Sequence, residues 1–416
     1  MNKTILKKYA KLIVNMGVNL QKGQQAIVTA NVDQRELVEY IVEACYKRGA
    51  SFVRVDWQDP ELVKIGSNYA DQNILNTVPA WEEEKLKQRL NDMPCMIYIE
   101  SDDPDALKGS NVDALNEARR MRYPIIKKYR DQMDNKYQWV IVAAPSVKWA
   151  KTVFPGERAN RAVDKLWQAI LKCARMGDGS DRSAMECDPI RNWEEHNQNF
   201  NERSAWLNAQ KFDRLIYKSS NGTDFTVGLN HNVKWEGGSE VSLQGITFNP
   251  NMPTEEIFTT PMRGRADGLL VSSKPLSYQG QLIEDFSIRF ENGRAVEVKA
   301  KKGQKLLEEM IKMDEGACYL GEVALVPKNS PINESGILFY TTLFDENAAC
   351  HVALGAGFSN LLEGYENMSQ EETFEAGINQ SMIHVDFMIG NDDMSITGVK
   401  DDGTQVPVFV NGTWAN

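Results

Sequence analysis

The sequence predicts an α/β N-terminal domain built on a mostly parallel sheet, followed by an α+β, β-rich C-terminal domain. Three observations carry that expectation. The 416 residues exceed what one ordinary core organises, so two or three domains are expected. In the first part, short runs that are apolar at nearly every position alternate with amphipathic stretches, the texture of a sheet covered on both faces. Later that texture gives way to Asn-Gly turns between β-rich flanks, the signature of antiparallel hairpins.

The elements follow in order. AIVTANV (Ala26 to Val32), FVRVDW (Phe52 to Trp57), MIYIES (Met96 to Ser101) and WVIVAAP (Trp139 to Pro145) read as strands of the first domain. Between the first two, RELVEYIVEACYKRG puts Leu37, Ile41, Cys45 and Tyr46 on one helical face. Asn160 to Met176 reads as a strong helix and Asn192 to Phe212 as another. The Asp-Gly-Ser-rich break between them, Gly177 to Asp188, is the expected domain boundary, giving domains 1–182 and 183–416. Beyond it, hairpins are expected at Asn221-Gly222 and Asn292-Gly293, with QKLLEEMIKM as one of a few helices.

Composition removes several classes of function. A net charge of -11 argues against nucleic acid or an anionic membrane surface as partner, since phosphates reward clustered Lys and Arg. The start, MNKTILKKYAKLIVNMG, lacks the uninterrupted apolar core of a secretory signal, and no stretch reaches membrane-spanning length. Cys45, Cys95, Cys173, Cys187, Cys318 and Cys350 are scattered without C-x-x-C spacing, as expected of free thiols in a cytoplasmic protein. No G-x-G-x-x-G or P-loop string follows a strand, which leaves nucleotide binding without support.

The chemistry-bearing residues fall in the second half. The chain has four histidines, and two of them, His351 and His384, sit among acids. In SMIHVDFMIG, period-two alternation sends His384 and Asp386 to one face and Ile383, Val385, Phe387 and Ile389 to the other. A buried His-Asp hydrogen-bonded pair is the plainer explanation of that motif alone. LFDENAACHVALG sets Asp345, Glu346 and His351 in an apolar stretch, where something must neutralise them. Glu346 and His351 are five apart, so bringing them together needs a turn, and a helix cap at Asp345 is the alternative reading. Glu322 interrupts the strand-like YLGEVALVP, where a carboxylate is paired, metal-bound or on an exposed edge. Glu255 and Glu256 follow a proline turn in NMPTEEIFTTP, a context that by itself reads as a solvated loop. Together these carboxylates and imidazoles form a mixed oxygen and nitrogen set suited to zinc, cobalt or manganese. A carboxylate-rich set of that size exceeds the needs of one catalytic ion and points to two. His196 and His231 read as ordinary polar residues, and Arg263 and Arg265 as salt-bridge partners or contacts for a peptide carboxylate.

These segments resemble the aminopeptidase T and aminopeptidase S family of thermophilic-type metalloaminopeptidases. The resemblance runs from GVNLQKGQQAIVTA through SNGTDFTVGL, WEGG, NMPTEEIFTTP, PLSYQGQLI, LGEVALVP, SPI and FYTTLFDENAACHVALG to HVDFMIG. It implies a dinuclear centre in which Glu256, Glu322, Glu346, His351, His384 and Asp386 match the family's metal-binding positions. The choice of Glu256 over Glu255 rests on that match. It implies also an α/β N-terminal domain, a C-terminal catalytic domain and a homodimer with enclosed active sites.

One position departs from the family pattern. Where the family carries a tyrosine, eighth from the histidine of HVALG, this chain has Phe358, which can neither touch a metal through oxygen nor stabilise an oxyanion. Tyr340 and Tyr365 are the candidates to replace it. The implied reaction is hydrolysis of the first peptide bond of a short peptide with a free N-terminus, using two divalent ions and a water. Glu322 would act either as bridging ligand or as proton shuttle. The alternatives are another metal-dependent amidase or hydrolase on this scaffold, and a catalytically impaired homologue that binds metal or peptide.

Overall fold

The computed structural model describes residues 1–415 apart from 102, 104 and 134. The chain divides into two compact units, Met1–Glu194 with Ser239–Pro253, and Glu195–Gly238 with Thr254–Asn416.

The first unit is organised by a five-stranded sheet. Gln25–Asn31 is flanked in parallel by Phe52–Gln58 and Cys95–Glu100, and Trp139–Ala143 lies parallel beyond Cys95–Glu100. The expectation of a parallel sheet holds here for a visible reason. Val28, Ile97, Val140 and Val142 are fully buried, so the inner strands have little face to give to water, whereas the edge strand Phe52–Gln58 exposes Phe52 and Trp57. Helix Arg35–Arg48 buries Leu37, Val38, Ile41 and Cys45 and ends at Gly49, whose φ of 106° closes the last turn with bonds to the Cys45 and Tyr46 carbonyls. Tyr46, expected on the buried face, is 48% exposed, because its position has rotated past the stripe that Leu37, Ile41 and Cys45 define. Helix Ala159–Cys173 buries Ala162, Leu166, Ile170 and Cys173 at helical spacing.

Two differences from the expected domain boundary stand out. The division falls inside helix Pro189–Gln210 rather than at 182/183, because a glycine-rich break can be followed by a helix that still packs backwards. Residues 239–253 also return to the first unit, where Asn251–Met252 adds a parallel edge to Trp139–Ala143. A two-residue strand leaves no periodic trace in sequence.

The second unit holds two antiparallel sheets. In the nine-stranded one, Arg214–Lys218 and Asp224–Leu229 form the hairpin expected at Asn221-Gly222. Gln281–Glu291 and Arg294–Lys302 form that at Asn292-Gly293, where both turn residues have positive φ. The expected helix appears as Gln304–Met310. The five-stranded sheet runs His384–Met388, His351–Gly355, Leu320–Leu325, Ile257–Thr259, Glu236–Gly237, antiparallel throughout. Its back face supplies Val323, Val352, Leu354, Val385 and Phe387 to a core shared with Tyr217, Phe225 and Ile288 of the larger sheet. All six cysteines are free thiols.

Candidate metal centre

Register assembles the site. Glu322 stands opposite Ala353, and Ala353 opposite Asp386, so the two acids lie in one row across three strands with a methyl group between them. His351 and His384 are each two residues along from that row and share its face, while the alternate residues feed the core behind. Glu256 directly precedes strand Ile257–Thr259. Glu346 opens a 3₁₀ turn, Glu346–Ala348, which supplies the change of direction that its five-residue separation from His351 demands.

All six residues implied by the resemblance therefore converge. Nε2 of His351 is 2.9 Å from Glu256 Oε2 and 4.0 Å from Glu322 Oε1, whereas Nε2 of His384 is 3.0 Å from Glu322 Oε2 and 3.3 Å from Asp386 Oδ1. Three overlapping groups bring their ligand atoms within 4.8 Å of one another: Glu256, Glu322 and His351; Glu322, His384 and Asp386; Glu346, His351 and Asp386. Glu256, Glu322, His351 and Asp386 are buried, while Glu346 is half-buried and His384 forms the open rim.

Four carboxylates against two imidazoles leave excess negative charge even when both rings are protonated. Burial pushes Glu322 up to about 7, reinforced by the Asp386 and Glu256 charges and resisted by the His384 hydrogen bond. Burial, then the neighbouring Glu256 and Asp386, push Glu346 well above the carboxylate range. Burial opposes charge on His351, but the Glu256 contact outweighs it and lifts the imidazole to about 9. His384 is raised in the same way, burial being overcome by Asp386 and Glu322. Asp386 is held low, because His384 outweighs its burial. Protons are thus retained where positive charge is needed.

Even so, the cluster does not satisfy itself. His351 Nε2 and Asp386 Oδ1 are buried without an aligned hydrogen-bond partner, despite the short contacts to Glu256 and His384. Buried orphan donor atoms amid surplus carboxylates fit a divalent cation that accepts both oxygen and imidazole nitrogen.

Residues 2–414 match the family model described as thermophilic metalloprotease (M29). The chain belongs to the M29 family. It is 42% identical over 411 residues to aminopeptidase AmpS of Bacillus subtilis, covering 99% of this chain and 98% of that one. It is 39% identical over 413 residues to aminopeptidase T of Thermus thermophilus, covering 98% of each. A solved structure of wild-type AmpT from Thermus thermophilus superposes with a TM-score of 0.89 at 37% identity, covering 99% of each chain. As a metalloprotease family, M29 implies a divalent metal, and among the described residues the buried cluster suits one, as a more exposed group of Asp213, His231 and Asp401 could also do.

Around this M29 centre stands a shell that the sequence did not reveal. Asn347, fully buried, accepts from the Glu255 backbone N–H at 2.6 Å and donates to the Leu343 carbonyl at 3.0 Å, tying the Glu256 segment to that of Glu346. His196 is buried, with Nε2 2.8 Å from the Thr254 carbonyl, so it braces the same segment. Asp345 accepts from the Phe339 and Thr341 N–H groups of the preceding loop, so it ties that loop down rather than capping a helix start, as its alternative reading expected. The only sequence signal for Asn347 was its place between two acids and a run of small apolar residues.

Phe358 stands beside the cluster, its ring 5.0 Å from that of His384 and 5.2 Å from that of Phe258. It has no polar side-chain atom and contributes apolar surface there. Tyr365 packs into the same small cluster as Phe358, and Tyr340 adopts a φ of 62° in the loop tied down by Asp345. Neither the exposed His231, 3.3 Å from Asp401, nor Arg265, paired with Asp213 at 2.7 Å, belongs to the centre. Arg263 is held differently, stacked on Tyr319 and Phe374.

Proposed function

We propose that this M29 member is a metal-dependent aminopeptidase that releases the N-terminal residue of short peptides at a centre of two divalent ions. Zinc, cobalt and manganese are the ions its donors suit. The observation that carries the reading is the row Glu322, Ala353, Asp386, with His351 and His384 on the same face. Four carboxylates and two imidazoles exceed the donor set of one catalytic ion. Glu322 is assigned as the shared ligand rather than the proton shuttle, because Oε1 faces His351 and Oε2 faces His384. Glu256 and His351 group on one side of it, His384 and Asp386 on the other.

When bound, the ions supply a Lewis acid for the scissile carbonyl and lower the pKa of a water. The residues do the rest. The four carboxylates would balance the charge of two divalent ions, and Phe258 and Phe358 give the rim an apolar wall. The names of the AmpS and aminopeptidase T relatives support the same substrate class.

A homodimer in the cytoplasm is part of this reading. Tyr69, Ile74 and Trp81 are 85, 71 and 62% exposed, apolar surface of the kind a second copy covers. Among the described residues no helix is long and apolar enough to cross a membrane.

The deciding experiment uses an aminoacyl p-nitroanilide and its N-acetylated form. Metal-dependent turnover that is lost on acetylation is expected. Turnover indifferent to the acetyl group would overturn the aminopeptidase reading in favour of a broader amidase, and inert wild type with saturating metal would favour an impaired binding homologue.

A further inference from the structure

His384 is aimed at Glu322 and Asp386 through its other ring nitrogen. Nδ1 lies 2.7 Å from the Ala356 carbonyl. A carbonyl only accepts, so Nδ1 carries the hydrogen and Nε2 is left for the cluster. The orientation of that imidazole therefore depends on what fixes Ala356, which lies in irregular chain just past strand His351–Gly355.

Both neighbours of Ala356 are held by one residue. Asn379 Nδ2 donates to the Gly355 carbonyl at 2.6 Å, and the Asn379 main-chain carbonyl accepts from the Gly357 N–H at 2.8 Å. The same amide donates to Gly316 O at 2.9 Å and accepts from Arg263 Nε at 3.1 Å. Two carbonyls and a guanidinium N–H decide which end of the amide is which. Arg263 is immobilised in turn, its guanidinium 4.2 Å from the Tyr319 ring centre and 4.7 Å from that of Phe374. Asn379 is 1% exposed, so this network is shielded from competing water. Crowding locks the segment further. At Gly321 a Cβ would stand 2.1 Å from the Ala356 carbonyl oxygen, leaving no space for a side chain against that group.

We propose that Asn379 is a positioning residue for His384. By clamping Gly355 and Gly357 it sets the Ala356 carbonyl, which holds the imidazole with Nε2 toward Glu322 and Asp386. This deepens the dinuclear reading above and rests on it for the metal-binding part of the test. The effect is selective, because His351 is oriented separately, through Nδ1 to the Ala349 carbonyl at 3.1 Å.

The test is Asn379→Leu, similar in size, which removes the side-chain bonds to Gly355, Gly316 and Arg263 and keeps the main-chain bond to Gly357. Zinc uptake is measured by competition with a chromophoric chelator, and the ring N–H protons of the four histidines are followed by NMR in metal-free protein. The binding step that needs His384 weakens about 10- to 100-fold, the range for losing a group that orients a ligand, while the other step stays near wild type. The His384 Nδ1–H proton, held by the Ala356 carbonyl in wild type, exchanges with water faster in the variant.

Both steps within twofold of wild type, with that proton retained, would overturn the proposal. So would equal weakening of both steps, which marks a general structural defect. If near-UV dichroism shows Asn379→Leu unfolded, Arg263→Met decides instead, since it frees the amide without removing it. A loss of about two- to tenfold in the same step is then expected, the size of one net hydrogen bond, and unchanged binding refutes the idea. Wild type that takes up no ion would defeat the dinuclear reading, and the Nδ1–H signal alone then decides for or against Asn379.

Discussion

The parallel sheet of the first unit and the five-stranded sheet of the second are written in nearly the same alphabet. WVIVAA and LGEVAL both read as short apolar strands. In the inner strands of the first unit both faces go mainly to packing, and Val28, Ile97 and Val140 vanish from solvent. In the second, one face goes to packing and the other gathers Glu322, His351, His384 and Asp386. The difference teaches that a single carboxylate in an apolar strand marks a change of task. Desolvation makes such a group costly unless neighbours or an ion compensate, so its presence argues for compensation.

The contrast can be broken most sharply at Glu322. Glu322→Gln should abolish turnover and the tighter ion uptake, because one side chain serves both halves of the cluster. The same change removes a carboxylate that burial and like charges lift to about 7, so the metal-free variant should melt no lower than metal-free wild type. Calorimetry on chelator-treated protein checks this, and a lower melting temperature would mean that Glu322 is structural. In the parallel sheet the dependence reverses. Ile97→Ala deletes a fully buried side chain and should cost about 2–5 kcal/mol of stability by denaturant titration. Its zinc affinity should match wild type.

The smallest effect is expected at Phe358→Tyr, which sets a hydroxyl near His384 without altering the six clustered acid and imidazole side chains. A rise in kcat within about tenfold is expected from steady-state kinetics, the scale of one added hydrogen bond. Activity appearing only in the tyrosine variant would show that the centre depends on an oxygen it lacks.

How much of this was legible in the chain follows from what each feature depends on. Strands of the first unit announce themselves because burial on two faces leaves an unbroken apolar run, as in Cys95–Glu100. The convergence of His384 and Asp386 is a matter of period two and was readable. Hairpins at Asn221-Gly222 and Asn292-Gly293 are local turn chemistry. What stayed hidden depends on distant partners. Glu255 and Glu256 are both buried, 9 and 6% exposed, and only resemblance chose between them. Asn347 and Asn379 act through carbonyls and N–H groups that lie far along the chain, a dependence that no spacing rule encodes. The return of 239–253 to the first unit is likewise a matter of tertiary pairing.

Ala353 is fully buried, and its lone methyl fills the gap between Glu322 and Asp386. That spacer works as a gauge. A bulkier residue there would wedge the two acids apart, so the spacing of this charged pair is set by a side chain that carries no charge of its own.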